Sequence, residues 1–432
     1  MQSNTQKLGF WAVFALVTGS QIGSGIFMLP SALAPYGKFS IIGWLIAGAG
    51  AILLALVFAQ LCAWFPKTGG PHVYVQHAFG NSAAFFTGWT YWVISWISTA
   101  VVVIAAIGYL TPLLGIQSLV LNLILEILLL VSITYLNLQG AAVAGKAEFF
   151  LTLLKIIPLI IIPFFALFFF NASNLAPQTG LTFTESIPLL GRVVLLTLWG
   201  FIGLESATTP AQSVYNPSKT IPKAIVTGTL CVALIYLINS IAIMGIIPFD
   251  ILAKSAAPYA AAVKIMVGGN WHLLISLIAC LICVGTLNAW VLTSGQIALG
   301  LANDALVPSI FGKTNNAGAP VIPLLISCLG TIPLLVATIN HGLAAQVLTI
   351  IDFSVTAFLF VYAICCSAFL KIVMQKRQLL THWWIHFLYG MLALLFCGWI
   401  IYNTPLRALL IASFFCLSGI PLYISFLVRK KS

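Results

Sequence analysis

Charge is what this sequence has least of. Only 6% of its 432 residues are Asp, Glu, Lys or Arg, against about 25% in soluble domains, so a water-solvated globular fold is excluded. The apolar stretches show no alternation of polar and apolar residues, which excludes an outer-membrane barrel. No connection is long enough for a soluble signalling or catalytic domain. A nucleotide-binding loop, a GxSxG elbow and an HExxH motif are all missing, so neither ATP-driven pumping nor hydrolysis has a visible site. The nine cysteines lack CxxC spacing and fall mostly inside apolar stretches, where they read as reduced small hydrophobes. His382 and His386 are one turn apart, but Trp383 and Trp384 between them mark an interfacial belt; no metal site or cofactor is expected. The apolar run from Leu8 lacks a small-residue cleavage site and passes into a full span.

What is present is hydrophobic length. With 61% hydrophobic residues and a mean hydropathy of +1.12, the chain reads as a single all-α integral membrane domain over 1–432. Roughly twelve spans are predicted, near 10–33, 40–64, 82–113, 119–138, 148–170, 188–213, 223–248, 272–301, 320–339, 344–369, 380–401 and 406–428. The net charge of +11 is scattered singly between spans, which argues against nucleic acid. One set of connections holds Lys7, Lys67, Lys146, Lys219, Lys223, Lys313, Lys371, Lys376, Arg377, Arg429, Lys430 and Lys431. The other holds only Lys38, Lys254, Lys264 and Arg407, so both termini are expected in the cytoplasm. Spans one to five (about 8–170) and six to ten (about 188–370) then form two copies of opposite topology, with two further helices at about 380–428. The stretch within Pro66–Gly80 is amphipathic and is expected along the membrane interface.

Two spans are interrupted by glycine, at Gly-Ser-Gln-Ile-Gly-Ser-Gly (Gly19–Gly25) and at Gly-Phe-Ile-Gly-Leu-Glu-Ser (Gly200–Ser206). Backbone that leaves the helical ladder at membrane depth exposes N–H and C=O groups, tolerable only where protein, water or solute satisfies them. The breaks occupy corresponding positions in the first and sixth spans, the sequence pointer to a secondary transporter. The half-helix resuming after the first break would offer free amides and positive dipole character to a carboxylate, with Ser20, Gln21 and Ser24 nearby. Carbonyls released beside Trp199 at the second would accept hydrogen bonds from an ammonium group. Together they suit an amino acid. A small-residue helix contact through Gly19 and Gly23 is the structural alternative.

Seven acidic residues are present. Glu148, Glu185, Asp250 and Asp304 fall in or near connections, leaving Glu126, Glu205 and Asp352 within spans. Glu205 is a candidate for binding and releasing a proton, against a structural salt bridge. Asp352 is a counter-ion for a cationic side chain if its face lines the cavity; a packing or coupling role is the alternative. Lys155, well inside the fifth span, can replace a bound cation or titrate, or it snorkels. Tyr91, Trp92, Trp96, Trp199 and Trp290 are candidate aromatic gates, and Trp199 carries most weight because it abuts a break.

At GSQIGSGIFMLP, LWGFIGLESA, NPSKTIPKA and GTLNAW the chain resembles the amino acid/polyamine/organocation transporters, most of all the bacterial basic amino acid/polyamine antiporters, which include arginine/agmatine, lysine/cadaverine and putrescine/ornithine exchangers. The resemblance implies a LeuT-like fold of two inverted five-helix repeats with discontinuous helices one and six. It implies that Ser24 and Gly25 hold a substrate carboxylate, and that the backbone of Gln21, Trp199 and Ile202 holds the ammonium. Trp199 then matches an outer gate, Tyr91 and Trp290 other gating aromatics, and Glu205 a glutamate of the transport cycle. Thr99 stands where the arginine/agmatine antiporter has an asparagine that senses the side chain. Asp352 falls at or beside a serine of the distal pocket, where a carboxylate favours a cationic side chain. Lys155 resembles instead the fifth-span lysine of proton-coupled permeases, which takes the place of a sodium ion.

The expectation is therefore a bacterial inner-membrane secondary transporter exchanging cationic amino acids or related amines. Its partners would be a small-molecule substrate, membrane lipid and, where coupled, protons; a homodimer is left open. Proton-coupled uptake of neutral amino acids is the alternative. A solute channel, from another class, would need a continuous polar pore, whereas the polar residues here gather at two breaks.

Overall fold

A computed structural model describes residues 7–116, 118–175, 183–255, 257–338 and 343–431. Side chains of 112, 183–186, 338, 343–349 and 426–431 lie outside the description, and Glu185, Arg429, Lys430 and Lys431 fall among them. In chain order the helices are α1 (Phe10–Gln21), α2 (Ser24–Leu33), α3 (Phe39–Trp64), α4 (Pro71–Phe79), α5 (Asn81–Leu114), α6 (Leu119–Leu138), α7 (Ala141–Ala166), α8 (Phe183–Leu198) and α9 (Pro217–Ile246). There follow α10 (Phe249–Leu252), α11 (Pro258–Met266), α12 (Trp271–Asn303), α13 (Val321–Thr338), α14 (Leu343–Gln375), α15 (Trp383–Tyr402), α16 (Leu406–Leu417) and α17 (Ile420–Lys431). Among the described residues, eleven segments are long and apolar enough to cross a membrane, and Val321–Ala337 is a shorter apolar twelfth.

Burial separates centre from periphery. The first span, with its break, and the third are 83% buried, whereas the fourth and twelfth are only 17% buried, so the former make the core and the latter meet lipid. Leu128, Val131 and Tyr135 of α6, and Leu410 and Phe414 of α16, point outward, as apolar side chains can when the solvent is hydrocarbon. The third span starts and stops at Gly80 and Gly115, both at positive φ (83° and 63°), a conformation glycine adopts without a Cβ clash. The twelfth, expected as one helix, is two, α16 and α17, separated at Ser418 and Gly419.

α4 corrects the interfacial expectation. Pro71, His72, Val73, Tyr74, Val75 and Ala78 are buried, and the helix packs on α5 and α14. Gly69 and Gly70, at φ 120° and 74°, turn the chain inward, and Gly69 packs against Gly300 so closely that a Cβ on Gly300 would lie 2.4 Å from its Cα. The Gly69 amide donates to Thr209 O (3.0 Å) and the Gln212 amide to Thr68 Oγ1 (3.1 Å), tying this connection to the chain beyond the second break.

Asp304, just past α12, clasps the same connection: His72 Nε2 lies 3.2 Å from Oδ2, and Lys67 donates to Oδ1. Burial alone would raise the Asp304 pKa, but the hydrogen bonds of His72 and Lys67 outweigh it and hold the carboxyl below its ordinary value. A depressed carboxyl stabilises the fold above the unfolded value, about pH 4, and that contribution is lost as pH falls through the lower folded value. Thermal unfolding in detergent should therefore show an acid-side loss of stability below about pH 4 that Asp304→Asn lessens.

Candidate functional site

Both glycine segments are real breaks. α1 stops at Gln21, Ile22 is extended, and α2 restarts at Ser24 behind Gly23, which has no side chain to cap the new helix. The first amides of α2 are thus left for another acceptor. The sixth span leaves α-geometry at Leu198, passes a 3-10 turn at Trp199–Phe201, and turns extended at Ile202. Beyond Gly203, at φ 105°, the chain continues as 3-10 turns at Ser206–Thr208 and Ala211–Ser213 instead of resuming an α-helix.

The breaks meet. Ser20 Oγ lies 3.1 Å from Gly203 O and 2.7 Å from Ser206 Oγ. Between them lies a cavity of about 20 Å³, room for about one water, lined by Ser20, Gln21, Gly23, Ser24, Gly25, Val102, Trp199, Ile202, Thr286 and Trp290. Six of the residues expected to bind substrate, Gln21, Ser24, Gly25, Trp199, Ile202 and Trp290, are here together. Trp199 lies over Gly25, where a Cβ would come within 3.1 Å of its ring.

Backbone polarity around the cavity is unevenly met. At the end of α1, Gly19 O accepts from Lys155 Nζ (2.7 Å), Ser20 O from Trp290 Nε1 (3.2 Å), Gln21 O from Tyr236 OH (2.8 Å) and Ile22 O from Thr286 Oγ1 (2.6 Å). The negative end of the α1 dipole is therefore already matched, by Lys155 among others, while at the positive end of α2 the Tyr236 hydroxyl stands beside the Gly23 and Ile26 amides and no side chain caps the helix. Gln21 Oε1 is buried without a hydrogen-bond partner. The carbonyl of Ile202 accepts no hydrogen bond from a described residue, and it remains for a donor.

Lys155 does not snorkel. It is fully buried, with Nζ 3.3 Å from Glu148 Oε1 and 3.1 Å from Thr286 Oγ1. Glu148, expected in or near a connection, is buried in α7. Its Oε1 accepts from Thr152 (3.1 Å) and its Oε2 from Asn288 Nδ2 (3.0 Å). Glycines make the room: a Cβ on Gly19 would stand 2.0 Å from Glu148 Oε1, and one on Gly285 2.6 Å from Lys155 Cε.

Glu205 is fully buried and accepts from Tyr362 OH (2.6 Å) through Oε2, while Oε1 has no partner. Tyr91 stands beside the same carboxyl with its hydroxyl unbonded. Phe358 joins Trp290 (5.3 Å between ring centres), Tyr91 (6.0 Å) and Tyr362 (6.2 Å), so an aromatic column connects the cavity to Glu205.

Two expected binding residues are elsewhere. Thr99 is absent from the cavity wall; its hydroxyl is turned back to Trp96 O (2.6 Å), and Val102, one turn on, takes its place. Asp352 also lies outside the wall and is not a free counter-ion: Arg192 Nη1 and Nη2 donate to its two oxygens at 2.7 and 3.0 Å. Sequence reasoning missed Arg192 as well as Glu148, Thr286 and Tyr362. Thr286 had a signal, lying inside GTLNAW, and Glu148 stands seven residues before Lys155, on the same helix face. Arg192, a cation within the predicted span 188–213, had one too, and Tyr362 had none.

A second cavity, about 220 Å³, lies toward the end bearing Leu8 and is lined by Lys7, Thr68, Gln212, Ser213 and Gln296, among others.

The family model of the amino acid permeases matches residues 8–426. The chain belongs to the amino acid permease family. This permease is 32% identical over 370 residues to the putrescine transporter PotE of Haemophilus influenzae, covering 85% of each chain. It is 32% identical over 404 residues to a putative arginine/ornithine antiporter of Bacillus subtilis, covering 86% of this chain and 85% of that one. To the cadaverine/lysine antiporter of Escherichia coli K12 it is 30% identical over 330 residues, 75% of this chain and 73% of the relative. The permease is a multi-pass membrane protein.

Proposed function

We propose that this permease is a secondary transporter exchanging cationic amino acids, or the amines related to them, by alternating access across the bacterial inner membrane. The observation that carries the reading is the cavity between the two breaks, with uncapped α2 amides for a carboxylate and the Ile202 carbonyl for an ammonium. In it Ser24 and Gly25 hold the carboxylate and the backbone of Gln21, Trp199 and Ile202 faces the ammonium. Trp199, Trp290 and Tyr91 close the path, and Glu205 and Lys155 act in coupling, Lys155 through Thr286 and Gly19. Both termini are cytoplasmic, the cavity lined by Lys7 and Gln212 is the inner vestibule, and 8–170 and 188–370 are inverted repeats. The names of the relatives support cationic substrates and exchange.

Proteoliposomes loaded with lysine, ornithine or putrescine should take up radiolabelled lysine at least about tenfold faster than empty ones, since a carrier that returns only when loaded needs internal substrate. Equal rates sink the exchange model. A second reading, proton-coupled uptake of neutral amino acids, is favoured by the lodging of Lys155 between Gly19 and Thr286. It predicts uptake into empty vesicles driven by an inward proton gradient.

A further inference from the structure

The larger cavity, at the end bearing Leu8, offers about tenfold the room found at the breaks, and among the described residues no carboxylate lines it. Two backbone bonds, Leu8 N to Ser213 O (2.8 Å) and Tyr215 N to Leu8 O (2.9 Å), fix the segment leading into α1 beside the chain that leaves the second break. Lys7 and Ser213 therefore share one wall. Gln296 of α12 supplies another, about 9 Å of helix past Trp290. The start of α7, at Ala141 and Ala142, closes a third side.

Polar groups of that wall are unmatched. α7 begins behind Gly140, at φ 103°, which has no side chain to cap it, and the Ala141 and Ala142 amides donate to no acceptor among the described residues. A capping residue has no room there, because a Cβ on Gly140 would stand 2.5 Å from Ala317 O. Gln296 is only 5% exposed, yet its carboxamide has no hydrogen-bond partner among the described residues, an unfavourable state unless water or a solute satisfies it. Lys7 is exposed and forms no ion pair among the described residues. An ammonium and the positive end of the α7 dipole thus border one solvent-reachable space without a counter-charge. An anion fits that space, and a solute carrying only cations is repelled from it.

We infer that this cavity is a second binding station for the substrate carboxylate, which passes from the amides of α2 to those of α7 and is held there by Lys7, Gln296 and Ser213, whereas a diamine, having no carboxylate, is not retained. The two stations are separated by α1, 12 residues or about 18 Å of helix. The rest of an amino acid can extend past Lys7 and Gln212, both exposed, into solvent. The inference rests on the transport reading above and deepens it, because it makes one face of the carrier distinguish an amino acid from its amine while the opposite face does not.

The test measures KM for lysine and for cadaverine, which is lysine without its carboxylate, from each face of oriented proteoliposomes, the Lys7 face being identified by cleavage of an N-terminal tag. From that face Lys7→Gln should raise the lysine KM about fivefold and leave cadaverine unchanged or lowered. Gln296→Leu, which alters no charge, should also raise the lysine KM about fivefold, with cadaverine unchanged. From the opposite face no KM should move. If Gln296→Leu fails to fold, Ser213→Ala makes the same uncharged comparison and should raise the lysine KM about twofold. Acetate on the Lys7 face should compete with lysine and not with cadaverine; competition by inorganic phosphate in its place assigns the site to another anion and overturns the inference. Parallel changes for both solutes, changes from both faces, or an effect of Lys7→Gln without one of the uncharged variants also overturn it and leave the cavity a hydrated vestibule. Lysine uptake that needs no internal substrate overturns exchange alone and leaves the comparison of faces valid.

Discussion

Lys155→Met is expected to unfold at markedly lower temperature in detergent and to lose exchange, while Lys155→Met combined with Glu148→Gln regains the temperature and not the exchange. The single change leaves the Glu148 carboxylate buried with only Thr152 and Asn288 as partners. Breaking a buried pair from one side costs about 3–5 kcal/mol, whereas removing both charges together is often neutral. Exchange stays lost in the double variant because Gly19 O and Thr286 Oγ1, both at the first break, have lost their ammonium donor. A double variant that transports normally would show that the pair only holds α7 to the bundle.

Gly203→Val should abolish transport. A valine at φ 105° is strained by about 1–3 kcal/mol, and its Cβ would press on Ser20 Cβ at 3.0 Å and Trp290 Cζ2 at 3.1 Å, adding about 1–3 kcal/mol of overpacking. The displaced neighbours are cavity residues, so the strain falls on the site itself. Lysine uptake should drop to the level of protein-free vesicles. Gly398→Ala, whose Cβ meets nothing within 4 Å, is the matched control and should transport normally.

These outcomes depend on features of unequal legibility. The breaks could be read from sequence because glycine clusters interrupt otherwise continuous apolar runs, and the long third and eighth spans because hydropathy alone delimits them. The fate of the sixth span beyond Gly203 could not: 3-10 turns and a lipid-crossing α-helix share one hydropathy profile. The burial of α4 was hidden by its polar turn residues, which look solvated until Gly69 is found against Gly300. Asp352 was recognised as costly to bury, but periodicity gives a side chain's face and never its partner. Arg192, 160 residues away, supplies that partner. Glu148 was placed at the edge of the fifth span because that span was predicted to start at 148, whereas α7 runs from Ala141.

That Glu148 and Lys155 share one helix bears on how the chain enters the bilayer. Presented to lipid alone, each charge near a helix centre costs about 2.5–3.5 kcal/mol by insertion scales. Seven residues apart they lie on the same side of α7, two turns separated, so the segment carries its own neutralising partner across before α9 and α12, its neighbours later in the chain, have arrived. The later α12 then needs only to supply Thr286 and Asn288, while the broken end of α1 comes from a helix made earlier. Moving either charge to another span would leave the final bundle neutral yet oblige a lone ion to cross first, so biogenesis, separately from transport, constrains both charges to α7.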